Sequence, residues 1–301
     1  MLLRALAVLA VAAPAAAQQG ALELFVGETL FVSGTRVALT WLRQEGGELV
    51  SGSDGVPNPS GLERDRDVLV ASVATNVRRG LDVALVLPWA VASGTFERGG
   101  GVLSTDNRGI GDLAIVFKQR VYHEVWNKGA WNAALLGGVE TPTGDTSGRT
   151  AGALDPPNLQ PGSGSWDPFI GLASTYESGR MRLDAQLFWQ RFGEGEQDNR
   201  PGDVFSAEFD IGYRVLMTRY PGPTLSTKAG MRYRNIGRGQ RSGLPLSNSG
   251  GEELAALVAA GWHPSPEWDV SFRLEAPLYA DWNGTQIATD YRALVGVGIR
   301  F

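Results

Sequence analysis

The sequence predicts an all-β protein, a closed antiparallel transmembrane β-barrel of about twelve strands with short periplasmic turns and long extracellular loops. Three features carry that expectation. The segment from Tyr291 to Phe301 has an unbroken alternate row of apolar residues, Tyr291, Ala293, Val295, Val297, Ile299 and Phe301, which is the two-residue period of a two-faced strand. At a tilt of ~45° such a strand covers roughly 25 Å, the height of the apolar band on an outer-membrane barrel. Beyond the amino-terminal segment no run approaches the ~20 apolar residues of a membrane helix, the longest candidate being Leu254 to Trp262. Finally, connections between alternating segments are long and short by turns, an even-stranded layout that leaves both ends of the chain on the short-turn side.

Met1 to Ala17 combines one charge at Arg4, an apolar run from Ala5 to Val11 and the small residues Ala15, Ala16 and Ala17. This reads as a secretory signal peptide cut after Ala17, leaving residues 18–301 as the barrel. The formal charge is −5, one unit more acidic once Arg4 is removed, which argues against nucleic acid as a partner. There is no cysteine, so thiol catalysis and thiolate metal sites are excluded and an oxidising compartment poses no problem. Forty glycines and nine tryptophans suit short strands, wide loops and aromatic anchors.

In chain order, Gln18 to Gly27 is a lead-in whose Leu22, Leu24 and Val26 alternate as an extra strand or a lumenal plug. The first strand runs from about Leu30 to Arg43, with Val37, Leu39 and Trp41 on one face. The second covers Arg66 to Val77; its facing is ambiguous, with Leu69, Ala71, Val73 and Val77 the better outward row. A turn at Arg78-Arg79-Gly80 leads to a third strand from Leu81 to Leu87, which Pro88 is expected to stop. Trp89 to Arg108 reads as loop and Gly109 to Val121 as strand four. Strand five presents Trp131, Ala133, Leu135 and Val139, and strand six presents Trp166, Pro168, Ile170, Leu172 and Tyr176. Strand seven sets Met181, Leu183, Leu187 and Trp189 outward against Arg182, Asp184 and Gln190. Strand eight is cleaner still, with Phe205, Phe209, Ile211 and Tyr213 opposite Glu208, Asp210 and Arg214. Strand nine opposes Met231 and Tyr233 to Lys228, Arg232 and Arg234. Strand ten runs from Leu254 to Trp262 and strand eleven from Trp268 to Ala276, followed by a loop to about Asp290 and the last strand.

A soluble sandwich would bury its apolar faces in a core; here every polar face is read as carrying arginines, lysines and carboxylates, so the apolar faces meet lipid. Closure then requires the last strand to pair with the first as well as with strand eleven. Trp41, Trp166, Trp189, Trp262 and Trp268 are the expected membrane-interface anchors. Tyr291 and Phe301 are placed at the two aromatic girdles of the last strand.

Gly109-Ile-Gly111-Asp112, Leu136 to Asp145 with its Thr-Pro-Thr-Gly, and Gly162-Ser-Gly-Ser-Trp166-Asp-Pro-Phe169 together resemble the outer-membrane family labelled "putative MetA-pathway of phenol degradation", often called transporters. The resemblance covers most of the mature chain. It implies a link to aromatic-compound metabolism, recognition of the carboxy-terminal strand by the barrel-assembly machinery, and residence among lipid and lipopolysaccharide in the bacterial outer membrane. The motif residues themselves read first as structural loop punctuation.

Barrel enzymes of that membrane use a histidine with Ser or Asp near the cell exterior, whereas His123 and His263 fall in short turns on the periplasmic side. No catalytic residues, metal ligands or cofactors are therefore assigned. The acidic loop pieces Glu194 to Asn199 and Ser51 to Asp54 are read as solvated loop ahead of a divalent-cation site. What remains is the lumen, where Glu208, Asp210, Lys228, Arg232 and Arg273 approach mid-depth. They form either an electrostatic constriction or salt-bridged filler of a narrow barrel. The expected function is passage of a small, aromatic or hydrophobic solute through a narrow charged lumen; the alternative is a non-conducting surface barrel whose long loops bind a ligand or partner.

Overall fold

Backbone N–H and C=O groups in hydrocarbon can be satisfied only by neighbouring strands, and only a closed sheet leaves none over. The computed structural model, which describes residues 34–98 and 100–301, meets this requirement with a closed 12-strand antiparallel barrel. Its strands are β1 (Thr35–Glu45), β2 (Arg64–Arg78), β3 (Leu81–Arg98), β4 (Ala114–Trp126), β5 (Gly129–Glu140) and β6 (Asp167–Ser178). They continue as β7 (Met181–Gln190), β8 (Val204–Met217), β9 (Thr224–Ile236), β10 (Gly251–His263), β11 (Trp268–Ile287) and β12 (Tyr291–Arg300). Each pairs with the next, and β12 pairs with β1 from Arg36↔Arg300 to Glu45↔Tyr291. The seam is finished by reciprocal backbone bonds between Thr35 and Phe301 at 2.8 and 3.0 Å. The expected closure of the last strand on the first is therefore present. The segment read as a signal peptide, the lead-in from Gln18 and the expected start of strand one at Leu30 lie outside the described residues.

Alternation decides which side chains meet lipid. Leu39, Trp41, Leu69, Val73, Leu85 and Leu87 are exposed on the outer surface, as are Phe209, Ile211, Val295 and Val297, while their sequence neighbours are buried inside. The outward row proposed for strand two is the observed one.

Three boundaries differ from expectation. Pro88 does not stop β3, because it falls where the strand changes partner. Pairing with β4 ends at Val86↔Ala114, and pairing with a hairpin arm, Gly101–Ile110, begins at Trp89↔Ile110. The missing proline N–H thus falls in a gap between two ladders, where no bond is lost. Gly109 and Ile110 belong to that arm, and β4 itself starts only at Ala114. The third difference is β11, which continues to Ile287 where a loop was expected. Leu254 pairs with Tyr279 and Ala255 with Pro277, so Leu278 is an inserted residue; a bulge of this kind flips the parity of the strand. Trp282, outward by the earlier parity, is consequently turned in and buried. His123 also lies within β4, with its Nδ1 2.7 Å from Asn132 Oδ1, and His263 is the last residue of β10.

Val295 stands near the centre of β12 between Trp41 and Phe272. Val295→Arg is expected to destabilise the barrel by about 2–4 kcal/mol, the cost of a cation on the lipid face at the midplane, read as a shift in urea unfolding of the protein folded into lipid vesicles.

Candidate functional site

The lumen has two chemically different walls. On β8 to β12, inward positions of adjacent strands carry opposite charges, and the register brings them together. Glu208 faces Arg232 across the β8–β9 pair, accepting from Arg232 Nε at 2.7 Å and from both terminal nitrogens of Arg273 at 2.8 and 2.7 Å. Arg273 Nε donates to Glu275 at 2.6 Å, which Arg232 also approaches at 3.2 Å. Glu253 takes Arg234 at 2.6 Å and Arg292 at 2.9 Å. Each carboxylate is thus shared by at least two guanidinium groups. Such a network adds little net stability, since desolvation offsets most of the attraction, but removing one member strands a buried charge.

Of the residues singled out in the sequence, Glu208, Arg232 and Arg273 are brought into this belt. Lys228 instead pairs with Asp184, whose carboxylate also takes Arg182 Nε at 2.8 Å and the Thr175 hydroxyl at 2.6 Å. Asp210 stands opposite Gly230, its buried Oδ1 bonded to nothing among the described residues. Glu253, Glu275, Arg234 and Arg292 were not chosen from sequence, although each shares the inward parity of the residues that were.

The opposite wall corrects the expectation that every inward face is charged. From β2 to β5 the buried inward residues include Val68, Val70, Ala84, Val86, Val116 and Leu136. Phe169 on β6 and Phe188 on β7 complete this surface with ring centroids 5.5 Å apart. The buried charges on β3 and β4 are Asp82 and Lys118, which face each other beside the periplasmic turn. A lumen that need not hold bulk water has no need of polar residues, so strands can be apolar on both faces, with smaller side chains inside.

At the extracellular mouth the three family-like motifs form one knot. Asp112 accepts from Gly144 N at 2.9 Å and Ser163 N at 2.6 Å, while Asp145 accepts from Ile110 N at 2.9 Å and its carbonyl takes Gly162 N at 2.9 Å. The backbones at residues 111, 144 and 162 touch: a Cβ on Gly144 would lie 2.7 Å from both Gly111 C and Gly162 Cα. Behind the knot, buried Asp155 takes Thr105 and Asn107, each at 2.8 Å, fastening the 141–166 loop to the hairpin arm. The motifs are therefore architectural, holding two long loops at the rim.

Every expected anchor points outward. Trp166 and Trp189 are exposed at the extracellular ends of β6 and β7, and Trp262 and Trp268 at the periplasmic ends of β10 and β11, whereas Trp41 corrects the expectation of a girdle position: it lies at mid-strand, paired with Val295. Tyr291 is half-buried at the top of β12 and Phe301 exposed beyond its foot. Trp41 Nε1 donates to Asp67 at 3.1 Å, the apolar-body, polar-tip arrangement of interface aromatics.

Replacing Gly144 by Val is expected to open the knot without opening the barrel. Trypsin should then cut at the exposed Arg149 at least fivefold faster on whole cells, with the heat-modifiable migration of the folded barrel retained.

No curated protein sequence matches the chain. Among solved structures, an outer membrane channel from Pseudomonas putida F1 superposes with a TM-score of 0.68 at 17% identity, over 91% of this chain and 97% of its own; the likeness is one of fold. The β domain of the Bordetella autotransporter BrkA gives 0.48 at 10% identity, over 89% of this chain and 100% of its own. CymD, a monoaromatic hydrocarbon channel, gives 0.41 at 12%, over 91% and 90%. The family described as "Putative MetA-pathway of phenol degradation" matches residues 68–274, a span that contains all three motifs of the mouth and most of both lumenal walls, and the chain belongs to that family of outer-membrane barrels.

Proposed function

We propose that the protein is a passive outer-membrane conduit for small hydrophobic solutes, aromatic compounds among them, and a conduit rather than an enzyme. The observation that carries this reading is the apolar lumenal wall of β2 to β7. General porins line a water-filled bore with polar groups, whereas a surface of valine, alanine, leucine and two phenylalanines gains free energy by taking an apolar solute out of water. The charged belt opposite acts as a rigid buttress. Glu208, Arg232 and Arg273, with Asp210 and Lys228 nearby, narrow the bore so that a solute passes against the apolar wall. Family membership and a barrel fold shared with a channel support the same reading.

Val86 is wholly buried in that wall. Val86→Glu is expected to cut the initial rate of labelled toluene uptake by cells about tenfold, with the folded barrel still present in the outer membrane. Equal uptake by cells with and without the wild-type protein would sink the proposal.

The carboxy-terminal strand is also proposed as the segment that the barrel-assembly machinery reads, since its aromatic end, Phe301, makes the last backbone bonds of the seam and leaves its side chain exposed. Deleting Phe301 should lower the outer-membrane level several-fold in cells while purified protein still refolds in detergent; an unchanged cellular level would exclude this role.

A further inference from the structure

Just below the mouth the lumenal wall makes an abrupt chemical step. The register aligns Val68, Leu42 and Leu294 across β2, β1 and β12 as one apolar inward row. Two residues nearer the exterior, the next inward row is Arg66, Gln44 and Arg292, and Arg64 follows Arg66 on the same strand face, with only Gly94 opposite it on β3. Successive inward rows lie about 7 Å apart, twice the rise of a strand residue.

The cations at this step outnumber the anions. Arg64 interacts electrostatically with Arg292 and Arg66, and Arg292 shares Glu253 with Arg234. Glu275 is 3.9 Å from Arg292 but is already engaged by Arg232 and Arg273. Among the described residues neither Arg64 nor Arg66 has a carboxylate within ion-pair distance. Asp112 and Glu140 act on Arg66 only through space, with both Asp112 oxygens held by the knot and Glu140 bonded to Gln190 at 3.0 Å. Among the described residues the one side-chain bond of Arg66 is to the Pro161 carbonyl at 3.3 Å. Donors are left over as well: Arg66 Nε, Arg234 Nε and Nη1, and Arg292 Nε are buried with no partner among the described residues, although Arg234 and Arg292 are only 1% and 2% exposed. An unpaired buried donor on a charged group is costly, so the arrangement calls for an acceptor that the described residues do not supply.

We infer that Arg64, Arg66, Arg234 and Arg292 form an anion site in the lumen, and that its place directly above the apolar row selects solutes with an apolar ring ended by a carboxylate. This rests on the hydrophobic-path reading and narrows its substrate class to aromatic carboxylates. The guanidinium fork supplies the paired donors that a planar carboxylate accepts, while the ring lies against Leu42, Val68 and Leu294. A neutral aromatic solute shares the second contact and lacks the first.

The test is calorimetric titration of benzoate and of its neutral analogue benzamide into the purified protein in detergent. Wild-type protein is expected to prefer benzoate at least tenfold. In R64Q/R66Q the preference falls to about unity, and in R66K, which keeps the charge and loses the fork, it falls to an intermediate value. Equal binding of the two probes by the wild type overturns the site, as does an undiminished preference in R64Q/R66Q. Should the double variant fail to fold, the wild-type comparison and R66K still decide. Cellular toluene uptake separates the two proposals: uptake without benzoate preference rejects the anion site alone, and benzoate preference without uptake rejects the path.

Discussion

Everything in this structure depends on the seam between β12 and β1. Strand pairing in hydrocarbon is obligatory for each backbone polar group, and an open edge there would leave a full row of them unsatisfied at several kcal/mol apiece. The ten register pairs from Arg36↔Arg300 to Glu45↔Tyr291 remove that edge. Closure also gives the chain an interior. Once the sheet is a cylinder, the parity of each residue assigns it either to lipid or to lumen, and a one-residue slip would exchange the two sets on a whole strand.

That assignment produces a lumen with two personalities. Strands β8 to β12 place acid opposite base at the same height, so that Glu208, Glu275 and Glu253 are each held by at least two arginines. Strands β2 to β7 present packed aliphatic and phenyl side chains. The two surfaces adjoin at β1 and β12, where Leu42 and Leu294 lie one row below Gln44 and Arg292. A polar lining on one side and an apolar one on the other suits a solute that is itself amphipathic. The extracellular rim is organised by backbone contact: side chains are excluded from the junction of residues 111, 144 and 162, and the carboxylates of Asp112 and Asp145 bind the loops' N–H groups in their place. Loops fixed in this way form the rim above the arginines.

Much of the architecture was legible before the fold was known. Strands seven, eight, nine and twelve were readable because large apolar residues alternate with charged ones, as in Phe205 to Tyr213, and that contrast survives any uncertainty about length. Reading was harder wherever both faces are apolar. Ala84, Val86 and Ala90 look like any other hydrophobic positions in a row, so the smooth inner wall of β3 could not be told from a strand about to end at Pro88. The knot at the mouth was visible as motifs, yet its bonds join residues more than thirty positions apart.

By itself the sequence determined the fold class, the strand count, the outward faces and the closing pair, because each is written in local periodicity and in the rule that no edge remains in lipid. Only the tertiary structure decided which charges meet. Arg292 reaches Glu253 across 39 positions, Arg273 reaches Glu208 across 65, and the bulge at Leu278 reverses the facing of the end of β11. The physical reason is that alternation fixes a side, whereas pairing depends on strand stagger and side-chain reach across a closed cylinder, neither of which any single strand contains.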